Sequence, residues 1–211
     1  MPKQFRLLGL LLLGTLVAVA LSRGASQAAS PASGLNSNMN QSAASNDAAG
    51  DKPLYNKSGE LVRPRDFRQW IYLSSGLGMS YNAAAGGEPQ FTNVFVPQWA
   101  YREFVATGKW PDKTMFVVEE RTSTSTGSIN KLGRFQTDLA GYGVEVKDET
   151  RFPEKWAYFT FAPETASASA KPKAACWQCH EDHAAVEHSF VQFYPTLKPV
   201  AQKFGVYKEK P

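Results

Sequence analysis

Near the C-terminus, Cys176-Trp177-Gln178-Cys179-His180 restricts this chain more than any other stretch. Its C-x-x-C-H spacing is that of covalent attachment to a c-type haem. Two thiols add across the two vinyl groups of one porphyrin, and the adjoining imidazole reaches the iron from the same side. On a helix, positions 176, 179 and 180 stand at i, i+3 and i+4, which puts all three on one face. A fold carrying this segment has to leave that face open and build a pocket over it.

Two other chemistries use such residues. A structural disulfide or a thioredoxin-like dithiol expects a preceding βαβ pattern and a helix N-terminus that lowers a thiol pKa. Here a small-residue connector, Pro163 to Ala175, precedes the pair. Zinc could take Cys176, Cys179, His183 and His188 as C-x2-C-x3-H-x4-H. That gap is far shorter than a zinc finger's, and the adjacent His180 is left without a part. Haem attachment uses every fixed position of the motif. The two cysteines are the only ones in the chain, and its three histidines all lie at 180, 183 and 188. Of these only His180 has the proximal position; His183 and His188 read as helix-surface residues.

The other face of the iron has no evident strong ligand. Small electron-transfer cytochromes carry the motif early and an axial Met after it, whereas Met39, Met79 and Met115 all precede it here. An open iron position binds or activates small molecules, with the outcome set by distal polarity and access. Met79, Met115 or a lysine remain as alternative sixth ligands.

Haem c is attached outside the cytoplasm, and the N-terminus reads as an export leader. Lys3 and Arg6 form a positive region, Leu7 to Leu21 an apolar run, and small residues follow up to a cleavage site after Ala28. The run is shorter than the about 20 residues of a membrane span, so residues 1–28 are expected to be a signal peptide, with an uncleaved anchor as the alternative. Without Lys3, Arg6 and Arg23, 20 basic residues face 19 acidic ones, a net of +1. The basic character is mostly leader and gives no reason to expect a nucleic-acid partner. Residues 29–52 are rich in Ala, Ser, Asn and Gly, and cannot bury enough surface to offset their ordering entropy. They are expected to be a disordered linker to a domain spanning 53–211.

Within that domain, Arg65 to Leu73 suggests a short helix with Phe67, Trp70 and Ile71 on one face. Gly76 to Gly87 reads as a loop and Phe91 to Val96 as a strand. Pro97 to Thr107 predicts a helix with a Tyr101, Phe104 and Val105 stripe, stopped at Gly108. Further strands are expected at 114–122, 134–139, 143–148 and 156–162, and a helical C-terminal segment begins at the motif and breaks around Pro195. The fold class is α+β: one antiparallel, sheet-rich domain with an internal helix and a C-terminal haem-bearing helix.

The run from Cys176 through His180, His183, Phe190, Phe193-Tyr194-Pro195 to Leu197 closely resembles the cytochrome P-460 family, including its cytochrome c′-beta branch. Pro64-Arg65-Asp66-Phe67-Arg68-Gln69-Trp70, Thr107-Gly108-Lys109-Trp110, Val146-Lys147-Asp148 with Arg151-Phe152, and Trp156-Ala157-Tyr158-Phe159 fall in the family's order. The resemblance implies a β-rich, periplasmic homodimer with one five-coordinate haem c. It also implies hydroxylamine oxidation or binding of nitric oxide and related ligands. In the hydroxylamine-oxidising members a lysine is bonded to the porphyrin edge; that position is Val118 here, and no lysine occurs from Thr114 to Arg121. The family's distal carboxylate matches Gly143, with Tyr142 and Glu145 nearby, and an arginine of the enzyme pocket matches Thr92.

Strand alternation puts Phe116 and Val118 on one face. If that face is inward they cap the iron, although core packing accounts for Phe116 equally well. The expected haem contacts are therefore Cys176, Cys179, His180, Phe116, Val118 and Tyr142, with His180 on the iron. The expected function is binding of nitric oxide or a similar ligand at an apolar distal site. Alternatives are a hydroxylamine or nitric-oxide oxidoreductase using Glu145, Tyr142 or Glu120, and an electron carrier serving a partner cytochrome.

Overall fold

A computed structural model describes residues 51–80 and 86–209. The expected leader and all but the last two residues of the expected linker lie outside the described residues. Among the described residues no helix is long and apolar enough to cross a membrane.

Five antiparallel strands form a meander in the order β2 (Ile71–Leu77), β3 (Phe91–Val96), β4 (Met115–Thr124), β5 (Phe135–Lys147) and β6 (Trp156–Phe161). A two-stranded ribbon pairs β1 (Leu61–Val62) with β7 (Ser167–Ala168). Helix α1 (Gln98–Thr107) links β3 to β4, and the C-terminal segment carries α2 (Trp177–His183) and α3 (Lys198–Lys203).

Alternation along the strands sorts the apolar residues into two cores, one on each face. On one face Leu73, Val96, Phe116, Trp156 and Tyr158 pack against Ala100 and Phe104 of α1 and against Val186, Val191, Tyr194 and Leu197. On the other, Met115, Val117, Tyr142, Val144, Ala157 and Phe159 pack against Phe67, Trp70 and Leu61. The C-terminal segment lies against the first face, so the haem motif meets the sheet there.

Helix α1 keeps its expected extent. Pro97 precedes it, and Gly108 ends it in the left-handed region (φ 73°), its N–H donating to the Phe104 carbonyl at 2.7 Å. Its buried pair is Ala100 and Phe104 rather than the whole expected stripe; Val105 is exposed. The helix expected over 65–73 shrinks to a single 3₁₀ turn, Phe67–Gln69. Ile71 onward joins the sheet instead, where Ile71 pairs with Val96, and Ser74, Ser75 and Gly76 lack helix propensity. The strands expected at 134–139 and 143–148 are one strand, because Gly141 continues the ladder opposite Glu120. A Cβ there would lie 3.0 Å from the Phe161 carbonyl oxygen, so only glycine lets β5 and β6 approach so closely.

Candidate haem site

Cys176 opens α2 as its N-cap, and the His180 N–H donates to the Cys176 carbonyl at 3.1 Å, so the motif takes the helical spacing its chemistry needs. Both thiols are half-buried, and neither is joined in a disulfide. Burial pushes the Cys176 thiol up, opposed by Lys171, which is the reverse of what a reactive dithiol requires. Zinc finds no cage: among the described residues no group of three or more His, Cys, Asp or Glu side chains could hold a metal ion. His183 is exposed at the end of α2. His188 is not on a helix surface as expected. It is buried in the following turn, its ring 4.7 Å from that of Trp177 and its Nε2 3.2 Å from Glu181.

That turn fixes the proximal imidazole. His180 Nδ1 lies 2.7 Å from the His188 carbonyl oxygen, which accepts a hydrogen bond from Nδ1–H and leaves the Nε2 lone pair able to serve a metal. The ring is held between Tyr158 at 4.3 Å and Phe190 at 4.6 Å.

Nε2 faces a cleft of about 300 Å³ whose floor is the sheet. Val94, Val118 and Gly143 make an apolar strip across β3, β4 and β5. The pairing register places Val118 between Val94 and Gly143 as their direct cross-strand partner. Two of the three positions at which the sequence departs from its resembled family, Val118 and Gly143, are thus one place in space. Gly143 leaves room there: a Cβ would meet only Val118 Cβ, at 3.6 Å.

The floor is not uniformly apolar, which corrects the expectation of an apolar cap. Glu120 and Glu145 flank the strip, and both carboxyls are held above the usual range by burial; for Glu145 the His180 ring opposes that effect. Glu145 Oε1 is 3.9 Å from His180 Nε2. Its Oε2, and the Tyr158 hydroxyl beside it, are buried without a hydrogen-bond partner. Burial, then Glu145, pushes the Tyr158 phenol up, so it stays protonated. Unsatisfied polar atoms under an open cleft are what a floor shows when it is shaped for another group. The thiols, the oriented imidazole and these atoms fit a haem c.

Two expected contacts fall elsewhere. Phe116 is in the core with Trp110, Trp156 and Tyr194, below the cleft rather than lining it. Tyr142 points away from the cleft: because Gly143 faces it, its neighbour must face the opposite side, where the ring meets Phe67 and the Arg63 guanidinium. Met115 is buried on that opposite face too, whereas Met79 reaches the cleft edge over Gly76. Tyr158, Val94 and Thr160 are cleft residues that sequence reasoning missed. The signal was present, since 158 and 160 share strand parity with the faces that 118 and 143 define.

Comparison with known families matches residues 64–191 to the one described as Cytochrome P460. No curated protein matches the chain.

Proposed function

We propose a function from one premise: the chain belongs to the cytochrome P460 family, whose members bind c-type haem and are typically periplasmic. On our reading it is an exported mono-haem cytochrome that binds nitric oxide or a similar small, uncharged ligand. Cys176 and Cys179 would hold the porphyrin by thioethers and His180 the iron. When bound, haem c supplies an iron with one position open to a small ligand.

The observation that carries the reading is the Val94–Val118–Gly143 strip across from His180. It offers a diatomic ligand an uncharged wall and offers the porphyrin edge no amine. Because the His180 Nδ1–H donates to the His188 carbonyl, Nε2 is the nitrogen turned to the iron. Tyr158 and Phe190 brace the imidazole and exclude water from it. A homodimer and electron exchange with a partner cytochrome belong to the same proposal.

An optical spectrum tests it. The oxidised and reduced protein should be high-spin and five-coordinate, with no red-shifted band of a cross-linked haem, and should change on adding nitric oxide. Met79→Leu should leave that resting spectrum unchanged. A low-spin, six-coordinate resting spectrum would overturn the open-site reading.

Glu145 supports a second reading, oxidation of hydroxylamine or nitric oxide. A buried carboxyl with one unpartnered oxygen, 3.9 Å from His180 Nε2, can accept a proton from an N–H substrate. Hydroxylamine turnover with an artificial electron acceptor, lost in Glu145→Gln, would favour this reading over simple ligand binding.

A further inference from the structure

Two sequence motifs have so far been given no part in the site: Trp110 of the Thr-Gly-Lys-Trp turn, and Lys147 of Val-Lys-Asp. Both converge on the turn that orients His180. Val186 and Ser189 close this turn as an antiparallel bridge. The Ser189 N–H and hydroxyl both donate to the Val186 carbonyl, each at 2.8 Å. Between them Glu187 stands at φ 49°, in the left-handed region that a residue with a side chain rarely adopts. Such a backbone persists when its surroundings over-determine it.

Three ties do so. Trp110 Nε1–H donates to Ser189 Oγ at 2.8 Å. Lys147 Nζ donates to the Trp110 carbonyl at 2.7 Å and to Glu187 Oε2 at 2.8 Å. Lys147 is buried at the end of β5, so its ammonium has little water to turn to. The held turn aims the His188 carbonyl at His180 Nδ1. None of these four side chains lines the cleft.

We infer that Lys147, Trp110, Glu187 and Ser189 are positioning residues for the proximal imidazole: by holding the His188 carbonyl on His180 Nδ1–H they set how strongly Nε2 donates to the iron. The inference rests on the haem c reading above. A firm acceptor on Nδ1–H raises the basicity of the opposite nitrogen. A more basic axial ligand favours oxidised over reduced iron, and a slackened turn shifts the balance the other way.

The sign separates this from plain electrostatics. Loss of the Lys147 charge alone would favour oxidised iron, whereas loss of its grip on the turn favours reduced iron. The test uses the full chain, matured with haem, as Lys147→Met and as the uncharged Ser189→Ala. Readouts are the iron–histidine stretching frequency of the reduced protein by resonance Raman, and the reduction potential by spectroelectrochemical titration. Both variants should lower the stretch and shift the equilibrium toward reduced iron, about tenfold for Lys147→Met, which is about 59 mV for a one-electron couple. Glu187→Gln, which keeps the side chain's size, should lower the stretch too and carries the test by that readout if either variant fails to fold, because loss of its negative charge would by itself favour reduced iron. Wild-type stretch and potential in the variants, or a potential that falls with the stretch unchanged, would overturn the inference. Wild-type protein without covalent haem would instead overturn the haem reading, and this inference with it.

Discussion

Placing Phe116 in the core and Val118 in the cleft makes opposite demands on two neighbouring truncations. Phe116 is fully buried, with the rings of Trp110, Trp156 and Tyr194 at 4.8, 6.2 and 6.3 Å. Truncating a core Phe to Ala costs about 3–5 kcal/mol, and three aromatic neighbours hold the hole open. Taking about 4 kcal/mol, at roughly 3 °C per kcal/mol for a domain of this size, Phe116→Ala should melt about 12 °C lower. Its rate of ligand association should stay near that of the parent. Val118 is only half-buried and faces the cleft. Val118→Ala removes two methyl-sized groups at partial burial, about 1 kcal/mol or roughly 3 °C. Because it widens the wall opposite His180, it should speed nitric-oxide association several-fold. Circular-dichroism melting of the haem-loaded variants and stopped-flow mixing of the reduced proteins with ligand make the comparison. If Phe116→Ala changed association as much as Val118→Ala while melting like the parent, Phe116 would belong to the cleft wall and the two-faced placement would be wrong.

Three further outcomes are expected. Burial raises the Glu120 carboxyl above its ordinary 4.5, so the folded state holds a proton that the unfolded chain has released. Stability is therefore lost as pH rises from about 4.5 through the raised value, and Glu120→Gln should melt higher than the parent at pH 8 but alike at pH 4. In Cys176→Ser one thioether is missing, so the reduced pyridine–haem spectrum should shift to longer wavelength, and the double variant with Cys179→Ser should release haem to acidified solvent. Gly108→Ala puts a side chain at φ 73° with its Cβ 2.6 Å from Phe204 Cβ; at about 1–3 kcal/mol it should lower the melting temperature by several degrees and leave ligand binding unchanged.

What could be read in the sequence was whatever depends on local spacing. Cys176, Cys179 and His180 needed only a helical turn to converge, and they have one. Pro97 and Gly108 bracketed a helix by backbone rules that neighbours do not override. Errors came where pairing partners decide. Ile71 to Leu73 carries an apolar pattern usable by helix or strand, and β3 settles it. The gap expected between strands 134–139 and 143–148 holds Gly141, a close contact inside one strand. Tyr142 was placed in the site by nearness in sequence to Gly143, although strand parity alone argues against it. The cross-strand meeting of Val118 and Gly143 was out of reach, since register depends on both strands at once. The part played by the turn at His188 depended on three distant segments and left no local trace.

Strand β5 presents Gly143 and Glu145 to the cleft and ends in Lys147, whose ammonium secures the turn behind His180. One run of alternating residues therefore touches the site in front of the imidazole and behind it. A single-residue insertion or deletion just before Gly143 would reverse the facing of all three at once, and one further along would set part of the run against the rest. Lineages of this fold can accordingly retune the site by point substitution, but can vary in length only where the ladder has ended. The hairpin tip between β4 and β5, where Ile129 and Leu132 are almost fully exposed, is such a place. Length differences among descendants should collect there, and a library made by random insertion should recover coloured protein from that tip and colourless protein from β5.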